Sequence, residues 1–283
     1  MAPAPTWPSS TVVPLLRNLH THTWRCGHAE GDAADYAAVA AAAGCRLLGF
    51  SEHTSLPEPR WPEWRMAAEQ LDGYCAAVAG VVGLHPGLDI ALGMECDWLP
   101  EHAAWYQDEL LGRRGCDYLI GAVHVLELPG GWTGAFTGVG RGQGLRCYTS
   151  LIEAACRSGL FAFIAHPDVF AADGRTWDAE DAACARDLAA VAVATGTPLE
   201  LNAYGLRKAT VAGRAGYPWP PFWAEVAHQP VTVVLNSDAH RPQDVVHGEA
   251  ELSKLRDGLG LREAALSGIA HLAERRRLAM GRC

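Results

Sequence analysis

The chain has 283 residues, 49% of them hydrophobic, and a formal charge of -9. That is enough apolar material for one large buried core, and the acidic balance argues against a protein that coats nucleic-acid backbones with lysine and arginine stripes. Nine cysteines, scattered from Cys26 to Cys283 without a C-x-x-C pair, point to a reduced, cytoplasmic protein rather than a disulfide scaffold.

The opening MAPAPTWPSSTVVP has neither a basic n-region nor an apolar h-region, so residues 1–14 are expected as a loose lead-in and not a secretory signal. No apolar run reaches membrane-spanning length. Seven short apolar runs then read as strands: 15–22, 46–52, 89–96, 117–124, 161–166, 198–202 and 231–237. Their continuous apolar character is that of strands buried on both faces. Asp32 can cap a helix through DYAAVAAAA that stops at Gly44. Further helices are expected at about 64–82, 102–113, 148–158, 179–194, 221–228 and 261–276. Strand alternating with helix in this way predicts a single α/β domain over 1–283, either a parallel barrel or a doubly wound sheet. The glycine-rich stretch 129–144 reads as one long loop over the site.

Position singles out the chemistry-bearing residues. His20 and His22 end the first predicted strand, His53 follows the second, and Glu95 ends the third. His124 and His166 end the fourth and fifth, and Asp238 and His240 follow the last. In a parallel barrel the carboxyl ends of the strands share one face, so residues distant in the chain meet there. His102, His228 and His271 are expected on helix exteriors instead. The spacing of two in His20-Thr21-His22 aims both imidazoles to one side. Imidazoles gathered beside two acids point to divalent cations, and a donor set without thiolate suits zinc, manganese or ferrous iron. Cys26 and Cys96 are expected to pack rather than coordinate.

The segments NLHTHTWRCGHAEG, LLGFSEHTSLP, IALGMECDW, YLIGAVHVL, FIAHPD, LELNAYGLRK and VLNSDAH span residues 18 to 240 in order. Together they resemble the polymerase and histidinol phosphatase (PHP) family, in particular its histidinol-phosphate phosphatase branch. The resemblance implies a distorted (β/α)7 TIM-like barrel, a role in histidine biosynthesis and three divalent metal ions (Zn, Mn or Fe). By motif, it assigns the first metal to His20, His22, Glu95 and Asp238. The second would share Glu95 with His124 and His166, and the third would take His28, His53 and His240. Asn18 stands where the family commonly has an acid, and Ala122 where many members have serine.

The reaction so implied is hydrolysis of a small phosphate ester, L-histidinol phosphate, by a hydroxide held between two metals that share Glu95. Arg207 and Lys208, in GLRK, are the candidate phosphate contacts. Asp168 is a candidate proton donor or substrate-amine partner. Arg141 is either a loop residue that closes over substrate or a solvated arginine, and GRGQG lacks the G-K-[ST] ending of a nucleotide P-loop. Trp61, Trp98 and Trp132 are read first as packing residues, with the pocket wall as the alternative. The competing functions are a phosphoesterase for a different small phosphate ester, a PHP-type nuclease, and a metal-binding relic without activity.

Overall fold

The computed structural model describes residues 17–212 and 216–280; the expected lead-in 1–14 lies outside them. The strands are β1 (Arg17–Asn18), β2 (Leu47–His53), β3 (Asp89–Asp97), β4 (Tyr118–Ala122), β5 (Val125–Leu128), β6 (Gly131–Gly134), β7 (Phe163–Ile164), β8 (Leu199–Asn202), β9 (Thr232–Asn236) and β10 (Arg262–Glu263). Eight form one sheet in the order β1-β2-β3-β4-β7-β8-β9-β10, with every neighbour parallel. The sheet curls into an incomplete TIM-like barrel. Its two sides meet at the carboxyl ends, where His22 N–H donates to Ala239 O at 2.9 Å and Ala239 N–H to His20 O at 3.2 Å.

All of the expected strands are present in the expected order, and β10 is an addition beside β9. Around the sheet run α1 (Ala33–Ala42), α2 (Leu71–Val81), a π-helix (Trp105–Arg113), α3 (Gln143–Ser158), α4 (Ala179–Thr195), α5 (Tyr204–Ala212), α6 (Pro220–Val226), α7 (Glu249–Gly258) and α8 (Ser267–Met280). Asp32 caps α1 as expected, in a capping box with Asp35.

Three expectations need correction. The stretch 129–144 is not irregular throughout: β6 pairs antiparallel with β5, and α3 starts at Gln143. The helix expected at 261–276 is displaced to α8, because pairing with β9 draws Arg262 and Glu263 into a strand, a tertiary preference that overrides local propensity. His102 is not on an exterior but buried, its Nε2 lying 2.9 Å from Glu58 Oε1.

Strand periodicity divides the core. Leu48, Phe50, Ile90, Leu92, Leu119, Val233 and Leu235 pack against the helices. The alternate residues Leu47, Ala91, Tyr118, Ile120, Phe163 and Val234 form a separate inner cluster with Leu19, which Ile269 and Ala273 of α8 join. Tyr118 occupies the space beside Gly49 and Gly93, where an added Cβ would fall 2.5 Å from its ring at Gly93. The inner face is thus filled by side chains at the amino ends of the strands, and the site lies beyond this plug.

Candidate metal centre and its cavity

The inner-face parity carries the ligand candidates. Counting in twos from Leu47 reaches His53, from Ala91 reaches Glu95 and Asp97, and from Tyr118 reaches His124. His166 and Asp238 lie just past β7 and β9. Both have left-handed backbone, with φ of 27° and 49°, strained for non-glycine residues and held only where the surroundings determine it. Glu200 Oε2 accepts the His166 N–H at 3.1 Å. Arg207 Nη2 donates to Ser237 O and Asp238 O at 2.8 and 2.7 Å.

At the centre four buried atoms converge: His20 Nε2, His22 Nε2, Glu95 Oε2 and Asp238 Oδ1. None has a hydrogen-bond partner of proper geometry. His20 Nε2 lies 3.4 Å from Glu95 Oε2 and 3.6 Å from Asp238 Oδ1, and His22 Nε2 lies 3.5 and 3.1 Å from the same atoms. Ligands at about 2.1 Å from a tetrahedral zinc stand ~3.4 Å apart, so these four imidazole–carboxylate separations match edges of such a polyhedron. Burial pushes both carboxyls up, but the surrounding imidazoles, His20 foremost, hold Glu95 and Asp238 well below the ordinary carboxylate range.

The imidazole tautomers follow from the outer contacts. A carboxylate or carbonyl oxygen only accepts, so the ring nitrogen facing it carries hydrogen, and a neutral ring then presents a lone pair on the other side. His20 Nδ1 faces Glu200 at 2.8 Å, His22 Nδ1 faces Glu52 at 3.4 Å and His124 Nδ1 faces Asp97 at 3.1 Å. His28 Nδ1 faces Cys26 O at 3.0 Å and His240 Nδ1 faces Asp238 O at 3.2 Å. Each leaves Nε2 aimed inward.

Two further groups result. His124 Nε2 and His166 Nε2 are 3.2 Å apart and lie 3.5 and 3.1 Å from Glu95 Oε1. His28 Nε2 and His240 Nε2 are 3.0 Å apart, and burial lowers both imidazole pKa values. Two lone pairs at that distance repel unless a cation lies between them. His53 stands between the groups, with Nδ1 2.9 Å from Glu95 Oε2 and its ring centroid 5.4 Å from that of His28. Burial, then repulsion from His22, lowers its pKa to about 3.

Glu52, Asp97 and Glu200 orient the histidines, and sequence reading passed over all three. Each is an acid inside an apolar strand, at the same kind of position that drew notice to Glu95. Glu200 is fully buried, and Asn236 and Asn202 also donate to it, each at 2.8 Å. Asn18 donates to Val245 O at 2.9 Å and to Ser237 Oγ. A carboxylate could not donate there, which accounts for an amide at this position.

Beside the imidazoles is a cavity of ≈ 360 Å³, walled in part by Trp64, Arg65, Phe136, Tyr204, Lys208 and Tyr217. Lys208 Nζ sits 4.6 Å over the Tyr204 ring, and burial lowers its pKa. Arg65, another residue missed in the sequence, reaches Asp97 Oδ2 at 2.8 Å.

The remaining candidates fall elsewhere. Arg207 holds the Asp238 turn and is not among the residues of the cavity wall. Asp168 is buried behind the wall, its Oδ2 accepting Trp219 N–H at 2.5 Å and Trp223 Nε1–H at 2.8 Å. Burial raises its pKa to about 6 against those donors. Arg141 is tied to Asp178, Asp181 and Thr176 O at the start of α4. Trp98 packs on Phe161 with ring centroids 5.7 Å apart, and Trp61 meets Trp132 edge-on at 5.0 Å.

The PHP domain profile matches residues 18–203, and the chain belongs to the PHP family. Among its relatives is the protein named Probable histidinol-phosphatase from Deinococcus radiodurans, 36% identical over 237 residues, covering 81% of this chain and 88% of that protein. A protein from Listeria monocytogenes assigned as a histidinol phosphatase has a crystal structure that superposes with a TM-score of 0.68 at 21% identity, covering 83% of this chain and 99% of that one. The histidinol phosphate phosphatase of Lactococcus lactis, solved with zinc, L-histidinol and phosphate, gives a TM-score of 0.64 at 14% identity, covering 87% and 94%.

Proposed function

We propose that this chain is a metal-dependent phosphomonoesterase that hydrolyses L-histidinol phosphate to L-histidinol and phosphate. The observation that carries the reading is the convergence of His20 Nε2, His22 Nε2, Glu95 Oε2 and Asp238 Oδ1 without partners in a buried site. A first cation would be held by these residues, a second by Glu95, His124 and His166, and a third by His28, His53 and His240. When bound, such cations supply Lewis-acid activation of water and neutralise phosphoryl charge.

The residues of this chain do the rest. Glu200, Glu52 and Asp97 fix the tautomers that aim lone pairs inward. Lys208 adds a cation at the wall for a phosphoryl oxygen, and Phe136, Tyr204 and Tyr217 give an apolar surface for the organic part. Among the described residues the wall offers no serine, threonine or cysteine as nucleophile, and its aspartates and imidazoles are taken up as braces or candidate ligands, which favours direct attack by water without a phosphoenzyme. A cavity of ≈ 360 Å³ suits a small metabolite better than a nucleic-acid strand, and the named relative supports the substrate. The chain would act as a single barrel domain. No helix among the described residues is long and apolar enough to cross a membrane, and we place the reaction in the cytoplasm.

The test combines elemental analysis of gently purified protein with phosphate release from histidinol phosphate and a panel of other phosphomonoesters. Bound zinc, manganese or iron with preference for histidinol phosphate is the expected result. Activity confined to another ester would move the substrate assignment, and a protein that is metal-free and inert after reconstitution would end the proposal. In a single turnover in oxygen-18 water, the released phosphate should carry label.

A further inference from the structure

The wall contains a polar group for which the reaction so far has no use. Tyr217 is 2% exposed, yet its hydroxyl finds no hydrogen-bond partner among the described residues. Buried tyrosine hydroxyls are ordinarily paired, so an orphan in a cavity wall calls for a ligand.

Its place is determined from several sides. The ring centroid lies 5.8 Å from that of His166 and 6.3 Å from that of Phe136. A Cβ on Gly205 would overlap the Tyr217 carbonyl and ring, so α5 packs against this residue only because glycine opens its GLRK turn. Two residues further on, Trp219 N–H is held by Asp168, which also takes the Trp223 indole N–H. Asp168 is therefore the anchor of the segment that carries Tyr217. These contacts fix the backbone and ring and leave the hydroxyl alone unsatisfied.

We propose that the Tyr217 hydroxyl donates a hydrogen bond to a phosphoryl oxygen of the bound ester. The inference rests on the phosphatase reading and adds to it a neutral, substrate-contacting residue. Its neighbour His166 belongs to the group with Glu95 and His124, where the phosphoryl group would be drawn to cations. Phosphoryl oxygens are strong acceptors, and a phenol, here pushed above its ordinary range by burial, stays a donor throughout the neutral range. Tyr217 would then complement Lys208: one supplies charge and the other direction.

The experiment compares wild type with Tyr217→Phe, both metal-loaded, using inorganic phosphate as the probe in calorimetry and as a competitive inhibitor of turnover. Phosphate affinity should fall about 10-fold, the order expected for one lost hydrogen bond to a charged acceptor. Metal content should be unchanged. Thermal stability should hold or rise, because the deleted hydroxyl had no partner in the ligand-free protein. Gly205→Ala, which displaces the ring, should weaken phosphate binding in the same sense.

Unchanged phosphate affinity in Tyr217→Phe refutes the contact. So does a loss confined to poor leaving groups, which would place the hydroxyl on the ester oxygen instead. A fall in melting temperature at constant phosphate affinity would make Tyr217 a packing residue. If wild type itself neither binds phosphate nor cleaves any ester, the phosphatase reading fails and this inference with it. An active wild type indistinguishable from Tyr217→Phe removes the inference alone.

Discussion

The two ends of the barrel interior are built from the same strands and the same face, yet they are chemical opposites. Toward the amino ends, Leu19, Ala91, Ile120, Phe163 and Val234 close round Tyr118, whose hydroxyl donates to Leu19 O at 2.7 Å. Nothing in that set asks for a ligand. A few residues further along, the face turns to imidazoles and carboxylates with buried atoms that lack partners. The lower layer is satisfied and contributes stability. The upper layer is left unsatisfied, and the geometry of its lone pairs shows what it is short of. Frustration here is local and purposeful: the plug below holds strands rigid enough to keep mutually repelling lone pairs together above.

Substitutions should separate the two regions. The largest effect is expected from Glu95→Gln, which removes the acid shared by two groups. Turnover should drop by about three orders of magnitude or more, on the order of 4 kcal/mol of barrier, and elemental analysis should show lost metal. Because the surrounding imidazoles hold this carboxylate well below its ordinary range, its charge favours the folded state, and the metal-free variant should melt somewhat lower than metal-free wild type. Near-normal turnover would break the assignment of the site.

Next comes Glu200→Gln. Either orientation of the amide sets an NH2 against two donors, His20 and Asn236 on one side or His166 N–H and Asn202 on the other. Metal affinity, read by competition with a chelator, should weaken about 10- to 100-fold. An unchanged affinity would mean that tautomer control is not its task.

Gly93→Ala tests the lower layer. The new Cβ would meet the Tyr118 ring, an overpacking that costs ~1–3 kcal/mol and lowers the melting temperature by several degrees. Metal content per folded molecule should stay the same. A mutant that keeps its stability but loses metal would show that the layers are not separable.

Metal removal, which leaves every side chain in place, bears on the upper layer alone. Cations bind the folded chain and not the unfolded one, so chelation should lower the melting temperature in proportion to the binding free energy lost. The curve should return on adding zinc. A melting temperature indifferent to chelator would mean that the groups do not hold cations.

Most of the architecture was legible in the sequence, because buried parallel strands read as short apolar runs and their ends can be counted. Most of the ligand candidates were legible for a related reason, since a histidine or acid where such a run ends has few other uses; His28, in a loop, was offered only by the family resemblance. What escaped shows the limit. Glu200 and Glu52 look like Glu95 in sequence, and only distance distinguishes an acid pointing at the centre from one holding a ring behind it. Tyr217 escaped because a tyrosine before a proline carries no signal of its own. Arg207 and Lys208 are adjacent, yet one grips a backbone turn and the other walls the cavity, since successive positions on a helix face different ways.

By itself, then, the sequence determined the order of strands and helices, the class of donor atoms and the end of the barrel at which they collect. These depend on local periodicity and on side-chain chemistry, which one chain segment carries alone. Tertiary structure decided which nitrogen of each imidazole faces inward, which acids face the centre and which brace the rings, and which hydroxyl of the cavity wall lacks a partner among the described residues. Those are relations between residues as far apart as His20 and Glu200, fixed only when folding sets their distance.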